Sequence, residues 1–552
     1  MSLARARRSA FPLGVTALAF AFLGLFLLYP LFNVFKASFL DPSGTVFTLA
    51  NYVRILGTGF YRASLVNSVT VSLAAALATT AVGIPLAFCL ARLPVPGKPV
   101  LLALAALPLV LPSFVGAYAW VLLLGRSGLV SELLRSVGIP FTSIYGRGGL
   151  ILVYTLQTYP YVLLLTLAAF RAVDVSVEEA GQNLGASRWR TFWTVTLPVA
   201  MPSVLAGSLL VFMETLENFG VPFVLAEDMP VLAVEAYKLF VGELGGNPAS
   251  AGVLGVLLVC CTTAALLLQR GYLARRRFVT GTRVAPPELR VGRVARWIAA
   301  GYAWGVVLLA LVPFFAVVVV SFMRFRGPVL HPEPSLDNFI ELLRTSQRPL
   351  VNTLVLASAA AAGAALLGVP IGYVVTRYRS GVAHVLDVVA MIPFAVAGTV
   401  LGIGLVISFN SGWLILTGGW LILVLSYLVR KLPFNVRASS AILHQIDPSL
   451  EEASVNLGVS PVRTFFTLTV PLMLGGIAGG TILTWVAIAS ELSSTVVLYS
   501  GPWATMTVVM FRALEGASAG AASAAATVLI VFTVVPLAFV HRLLRRQDVP
   551  LL

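Results

Sequence analysis

The sequence predicts an all-α, polytopic membrane protein whose twelve transmembrane helices form two homologous six-helix halves. Two observations carry that reading. The chain is 59% hydrophobic and only 11% charged, with a mean hydropathy of +0.95, far more apolar than a soluble domain. Residues 178–198 (EEAGQNLGASRWRTFWTVTLP) and 451–471 (EEASVNLGVSPVRTFFTLTVP) agree at thirteen of twenty-one positions, 273 residues apart. The repeated segment is polar within an apolar chain, so the part the halves keep alike lies outside the lipid.

Crossing the hydrocarbon core takes about 20 apolar residues. In the first half such stretches fall at 11–33, 64–90, 99–124, 149–170, 200–224 and 249–269. In the second they fall at 297–322, 351–376, 383–409, 413–430, 472–498 and 520–541. The first stretch has the basic start of a secretory signal but runs too long for one, and reads as an uncleaved anchor. Residues 1–270 thus form one repeat and 297–552 the other. The connector 271–296 is rich in arginine and holds Pro286 and Pro287, as expected of a solvated linker facing anionic headgroups.

Upstream of the repeated segment the duplication persists at a different offset. Asn67, Gly83, Pro85, Arg92 and Pro108 recur 285 residues later as Asn352, Gly368, Pro370, Arg377 and Pro393. The second half is therefore a dozen residues shorter between its third and fifth spans, and the missing part is expected within 125–148.

Arginine in short loops sets orientation. Arg5, Arg7 and Arg8 precede the first span, and Arg542, Arg545 and Arg546 follow the last; both termini read as cytoplasmic. The same register puts Arg92, Arg188, Arg190, Arg377, Arg430, Lys431 and Arg437 inside, and Glu227, Asp228 and Glu235 outside. The net charge of +15 is then mostly a topology signal. Basic residues scattered over membrane loops give no continuous face for nucleic acid. Cys89, Cys260 and Cys261 fall within spans and suggest packing rather than disulfides or metal.

The repeated segments, 174–198 and 447–471, carry local instructions. Ser176 with Glu179, and Ser449 with Glu452, have the spacing of capping boxes that open a helix. Gly185 and Gly458 stand where a left-handed residue stops it. Ser187 and Ser460 suit the cap of a second helix, with Pro461 at its favoured first position. Pro198 and Pro471 mark the return to the membrane. Each segment should be a short helix, a glycine turn and another short helix.

These residues resemble the EAA loop of permease subunits of ATP-binding-cassette importers, in which Glu-Ala-Ala is followed after three residues by Gly and after nine more by Ile-x-Leu-Pro. The first copy reads Glu179, Ala180, Gly181, Gly185, Val195, Leu197, Pro198, and the second Glu452, Ala453, Ser454, Gly458, Leu468, Val470, Pro471. The resemblance implies a type I ABC importer permease fold in a bacterial-type inner membrane. It further implies that Glu179, Ala180, Gly185, Glu452, Ala453 and Gly458 form coupling sites for two copies of an ATP-binding subunit. An extracytoplasmic solute-binding protein would deliver the cargo. The chain itself carries no phosphate-binding Gly-Lys-Ser/Thr loop, since Gly97-Lys98-Pro99 fails the pattern, so it reads as a transporter subunit without an ATPase site or cofactor. A twelve-span secondary carrier is the rival class, but the loop ARLPVPGKPV between the second and third spans lacks the acidic and arginine-rich pattern usual there.

Acids within spans are expensive and mark function. Glu214 and Glu217 share one helical face, with Glu491 in the eleventh span, and the three are candidates for the translocation path. Glu217 and Glu491 could meet a hard cation; pairing with arginines or hydroxyls is the structural alternative. The stretches ETLENFGVPFVL and SELSSTVVL resemble ferric-iron importer permeases, which implies Fe(III) cargo. Thiamine, polyamine, phosphonate and sugar phosphate are the alternatives that relatives of this build suggest, and Arg147, Tyr154, Tyr159 and Tyr161 could serve an anionic or ring-bearing solute. The four histidines show no metal-ligand spacing.

Overall fold

The structure is a computed structural model that describes residues 3–41, 44–139, 143–242, 246–274, 288–289, 291–326, 329–378, 380–516 and 518–545. Residues 275–287 and 290 of the arginine-rich connector lie outside the described residues. Among the described residues, ten helices are long and apolar enough to cross a membrane. A bent pair, Gly381–Ala395 with Gly398–Phe409, makes eleven if it counts as one crossing. Among the described residues the strand structure is one antiparallel hairpin, Met323–Arg326 with Val329–Pro334, and an isolated bridge between Leu40 and Phe47.

Three expected spans, 99–124, 383–409 and 413–430, need correction. The stretch 99–124 is broken into helices Lys98–Val110 and Ser113–Leu124. Pro112 is the cause: its ring disfavours helical geometry in the residue before it, and Leu111 is extended at φ −71° and ψ 139°. The second half breaks at the matching place, where Pro393 sits in a tight turn and the helices on either side diverge by 105°. The stretch expected at 413–430 is instead helix Trp420–Leu443, with Arg430 and Lys431 near its middle. Its first-half counterpart is Arg147–Ala172, and the loops before them, 125–146 and 410–419, account for the missing dozen residues. The longer loop holds an additional helix, Leu129–Ser136.

The chain forms two compact units that cut across the sequence halves. One comprises residues 1–54, 236–256 and 320–552, and the other 55–235 and 257–319. Each unit thereby includes the first long helix of the other half. In the first unit, Asn33 Nδ2 donates to Ser408 Oγ at 2.8 Å, and the Phe11 ring packs against Tyr373 and Phe465. In the second, Tyr302 Oη donates to the Val82 carbonyl at 2.8 Å and Trp304 Nε1 to that of Pro96 at 3.1 Å. Ala299, Ala300, Ala303, Val307 and Ala310 join its buried core.

Within each unit three helices meet through small residues, because lipid tails offer no hydrophobic drive for association and close backbone packing must supply it. In one unit, Gly83 and Gly207 pack against Val162: a side chain at either would come within 2.8 Å and 2.9 Å of it. In the other, Gly368 meets Asn435 and Gly480 meets Ala438, at 2.7 Å and 2.6 Å. These are corresponding positions of the two halves. Gly368→Leu should lower stability by about 1–3 kcal/mol through overpacking, read as a lower melting temperature of detergent-purified protein. Gly14→Leu, with nothing within 4 Å, should not. An unchanged melting temperature for the Gly368 variant would deny the close contact its role.

Candidate functional site

The repeated segments form nearly identical structures. Helices Val175–Asn183 and Pro448–Asn456 are capped by Asp174 and Asp447, whose carboxylates accept the Ser176 and Ser449 amides at 2.9 Å each. The Ser–Glu capping boxes expected two residues later do not supply the caps. Those amide bonds hold both aspartates below the usual carboxylate range. Gly185 and Gly458 stop the helices at φ +87° and +89°, a left-handed conformation that L side chains rarely adopt.

Ser187 and Ser460 then cap the next helix, their hydroxyls accepting the Arg190 and Arg463 amides at 3.3 Å and 3.4 Å. That helix is not a separate short element as the sequence suggested. It runs on through Phe192–Thr196 and Phe465–Thr469 into the long helices Leu197–Glu217 and Val470–Ala489. The junction is a π turn in both copies: Leu197 N–H reaches back five residues to Phe192, and Val470 N–H to Phe465. The proline that follows each junction lacks an N–H and would clash with the carbonyl four residues earlier. An extra residue in the turn gives its ring room.

Neither short helix has a buried residue. Glu179, Ala180, Gly185, Glu452, Ala453 and Gly458 are all exposed, and at the turns Leu184 and Leu457 are 90% and 84% exposed. What fastens each helix is the glutamate just before the expected one. Glu178 pairs with Arg92 and accepts the Thr196 hydroxyl at 2.6 Å. Glu451 takes Arg377 Nε at 3.1 Å and the Tyr373 hydroxyl at 2.9 Å, while Arg377 Nη2 also donates to the Ile446 carbonyl at 2.9 Å. Arg92 and Arg377 end the spanning helices Gly59–Arg92 and Gln347–Arg377. Sequence reasoning passed over Glu178 and Glu451, though the recurrence of Arg92 as Arg377 was the signal that could have found them.

The acids inside the spans are not equivalent. Glu214 and Glu217 lie in the last turn of Leu197–Glu217, both half-buried. Glu491 follows the end of Val470–Ala489 and is buried. Its Oε1 lies 2.5 Å from Arg430 Nη1 and accepts the Ser494 amide at 3.0 Å, and its Oε2 lies 3.5 Å from Lys431 Nζ. Arg430 and Lys431 therefore lie within a helix as partners of a buried acid, not in a loop beyond it. The register match to Glu491 is Asn218 rather than Glu217. Asn218 Oδ1 accepts the amide three residues on, from Val221, at 2.9 Å, as Glu491 does from Ser494.

Arg147 Nη2 donates to Asn67 Oδ1 at 2.6 Å, and Asn67 Nδ2 to the Pro230 carbonyl at 3.0 Å. Asn352 does the same for Pro502 and Ala504 at 3.0 Å and 2.9 Å. These recurring asparagines thus tie a spanning helix to the segment entering helices Leu232–Val241 and Met506–Glu515. Tyr154 and Tyr159 are buried in the core. The Tyr154 ring borders a small pocket with Ser68, Ser72, Thr215 and Asn218.

The family described as binding-protein-dependent transport system inner membrane component matches residues 80–279 and again 364–549. The ferric transport system permease protein FbpB of Actinobacillus pleuropneumoniae is 28% identical over 517 residues, spanning 92% of this chain and 74% of that one. A Haemophilus influenzae protein named "Putative ferric transport system permease protein FbpB 1" is 30% identical over 485 residues, or 86% and 76% of the two chains. The molybdenum transport system permease ModB of Escherichia coli is 32% identical over 213 residues, which is 38% of this chain and 91% of that protein.

Removing one partner of an ion pair that is largely enclosed leaves the other charge poorly solvated, and the helix it fastens has no buried residue of its own. Glu178→Ala should therefore raise amide hydrogen exchange across 175–184 sharply and leave 448–457 as in the unaltered protein. Equal protection in both segments would show that Arg92 is not the mount.

Proposed function

Because the chain belongs to the family of binding-protein-dependent transport system inner membrane components, which it matches in both halves, we propose that it lines the translocation path of an ATP-driven importer and is worked by two separate ATP-binding subunits. The observation that carries this reading is the pair of exposed helices, Val175–Asn183 and Pro448–Asn456, each fastened to a spanning helix by a part-buried ion pair. A rigid peg transmits a rigid-body movement where a flexible loop would absorb it. The bare leucine at each glycine turn, Leu184 and Leu457, offers an apolar contact to a groove. Glu179, Ala180, Glu452 and Ala453 supply the outward face beside it.

In this reading the short helices and both termini face the cytoplasm of a bacterial-type inner membrane. A solute-binding protein hands cargo over on the opposite side. Ferric iron is the cargo class favoured by the two FbpB-type relatives, which align along most of the chain.

The test is uptake by the reconstituted complex of permease, ATP-binding subunit and binding protein. Leu184→Glu with Leu457→Glu should weaken retention of the ATP-binding subunit by about 2 kcal/mol or more, as for a buried interface anchor. Gly185→Val with Gly458→Val sets a β-branched residue at positive φ, a strain of roughly 1–2 kcal/mol per turn, and should cut ATP-driven accumulation while the protein still inserts. Full accumulation by both double variants would refute coupling through these helices. Uptake driven by an ion gradient without ATP would point to a secondary carrier instead.

A further inference from the structure

The charges around Glu491 are not demanded by the fold. At the corresponding places 273 residues earlier, the chain has Gln157 for Arg430, Thr158 for Lys431 and Asn218 for Glu491. The helices there keep the same course, and Asn218 keeps the same bond to the amide three residues on. Gln157 Nε2 simply donates to the Ser113 carbonyl at 2.8 Å. Two cations and one carboxylate thus occupy a position where neutral side chains suffice. Burying ions costs several kcal/mol each even when they are paired, and ionisable groups at membrane depth mark ligand pathways.

The two cations differ in their seating. The Arg430 guanidinium lies against Gly398, where a side chain would collide with Nη1, and reaches Glu491 at 2.5 Å. That pair is tight and neutral. Among the described residues Lys431 makes one long ion-pair contact, 3.5 Å to the other carboxylate oxygen, stands 5.9 Å from the centre of the Phe434 ring, and keeps 17% of its side chain exposed. An ammonium has three donors to satisfy, and one long contact leaves capacity for an anion.

We propose that Lys431, backed by the Arg430–Glu491 pair, is the receiving cation of an anion site that takes a compact oxygen donor. The proposal rests on the importer reading above and specifies the form in which cargo passes. A bare ferric ion would be repelled by a site with two positive charges to one negative, so iron would pass with its charge masked by anionic oxygen ligands. The same chemistry would receive a free tetrahedral oxyanion. The other unit carries acids, Glu214 and Glu217, near its counterpart, so anion recognition belongs to one unit alone.

The experiment uses the complete transporter in liposomes with ATP inside, following radiolabelled ferric citrate in one arm and radiolabelled molybdate in the other. Lys431→Gln should reduce uptake in whichever arm the unaltered protein serves by at least about tenfold, in line with loss of one partner of a buried charge contact. Lys431→Arg should restore most of it. Arg437→Gln removes a positive charge from the same helix at a half-exposed position paired with Asp387, and should transport normally. The melting temperature of the Lys431→Gln protein should equal or exceed that of the unaltered protein, since an excess buried charge is gone, whereas a purely structural lysine would melt earlier when replaced. Normal uptake by Lys431→Gln, or reduced uptake together with a lower melting temperature, overturns the anion site and leaves the importer reading standing. Failure of the unaltered complex to accumulate either probe with ATP overturns the anion site together with the ferric-iron cargo.

Discussion

Two part-buried ion pairs, Arg92 with Glu178 and Arg377 with Glu451, hold the parts on which the rest of the arrangement depends. A nine-residue helix is marginal by itself in water, and neither short helix has a buried residue with which to hold on. Each is tied to a spanning helix by one carboxylate inserted beneath it. Because each arginine is the last residue of a spanning helix, tilting a short helix must either move that span or separate charges at low dielectric, and the second course is the more expensive. The auxiliary partners differ, a threonine hydroxyl in one copy and a tyrosine hydroxyl in the other. The ion pair is the part that both retain.

Behind these mounts the spans are organised by where side chains are missing. Gly83 and Gly207 in one unit, and Gly368 and Gly480 in the other, let three helices approach at corresponding points. The exchange of first helices between the halves adds a further constraint. Phe11–Ser38 belongs to the unit built mainly from the second half, and most of Arg293–Ser321 to the unit built mainly from the first. A sequence half is therefore not a folding unit here, even though it is the unit of duplication.

What could be read from the sequence was what a few adjacent residues decide. The glycine stop at Gly185 and Gly458 and the serine caps after it follow from φ and from one hydroxyl, and both stand as expected. The first cap was misread because Ser176 and Glu179 satisfy one local pattern while Asp174, two residues earlier, satisfies a stronger one with an ionised acceptor. The course of helix Trp420–Leu443 was misread for a different reason. An apolar window ends where charge begins, and the acid that makes Arg430 tolerable lies 61 residues further on. The exchange of first helices has no local signature at all, since an apolar helix reads the same whichever bundle receives it.

The two halves have diverged unequally, and the pattern has a physical reason. If, as proposed, the repeated segments meet two copies of one ATP-binding subunit, each sees the same chemistry, so any change in one copy of the segment would weaken one contact without helping the other. Thirteen of twenty-one positions remain identical there. A single cargo passing through one chain imposes no such twofold demand, because it carries no internal symmetry for the halves to match. Charge can then be gathered on one side, and it has been: Arg430, Lys431 and Glu491 stand where the other half keeps Gln157, Thr158 and Asn218. Fusion permits that division of labour. A symmetric pair of identical subunits would place every buried charge twice, doubling the desolvation cost and presenting the cargo with two competing sites.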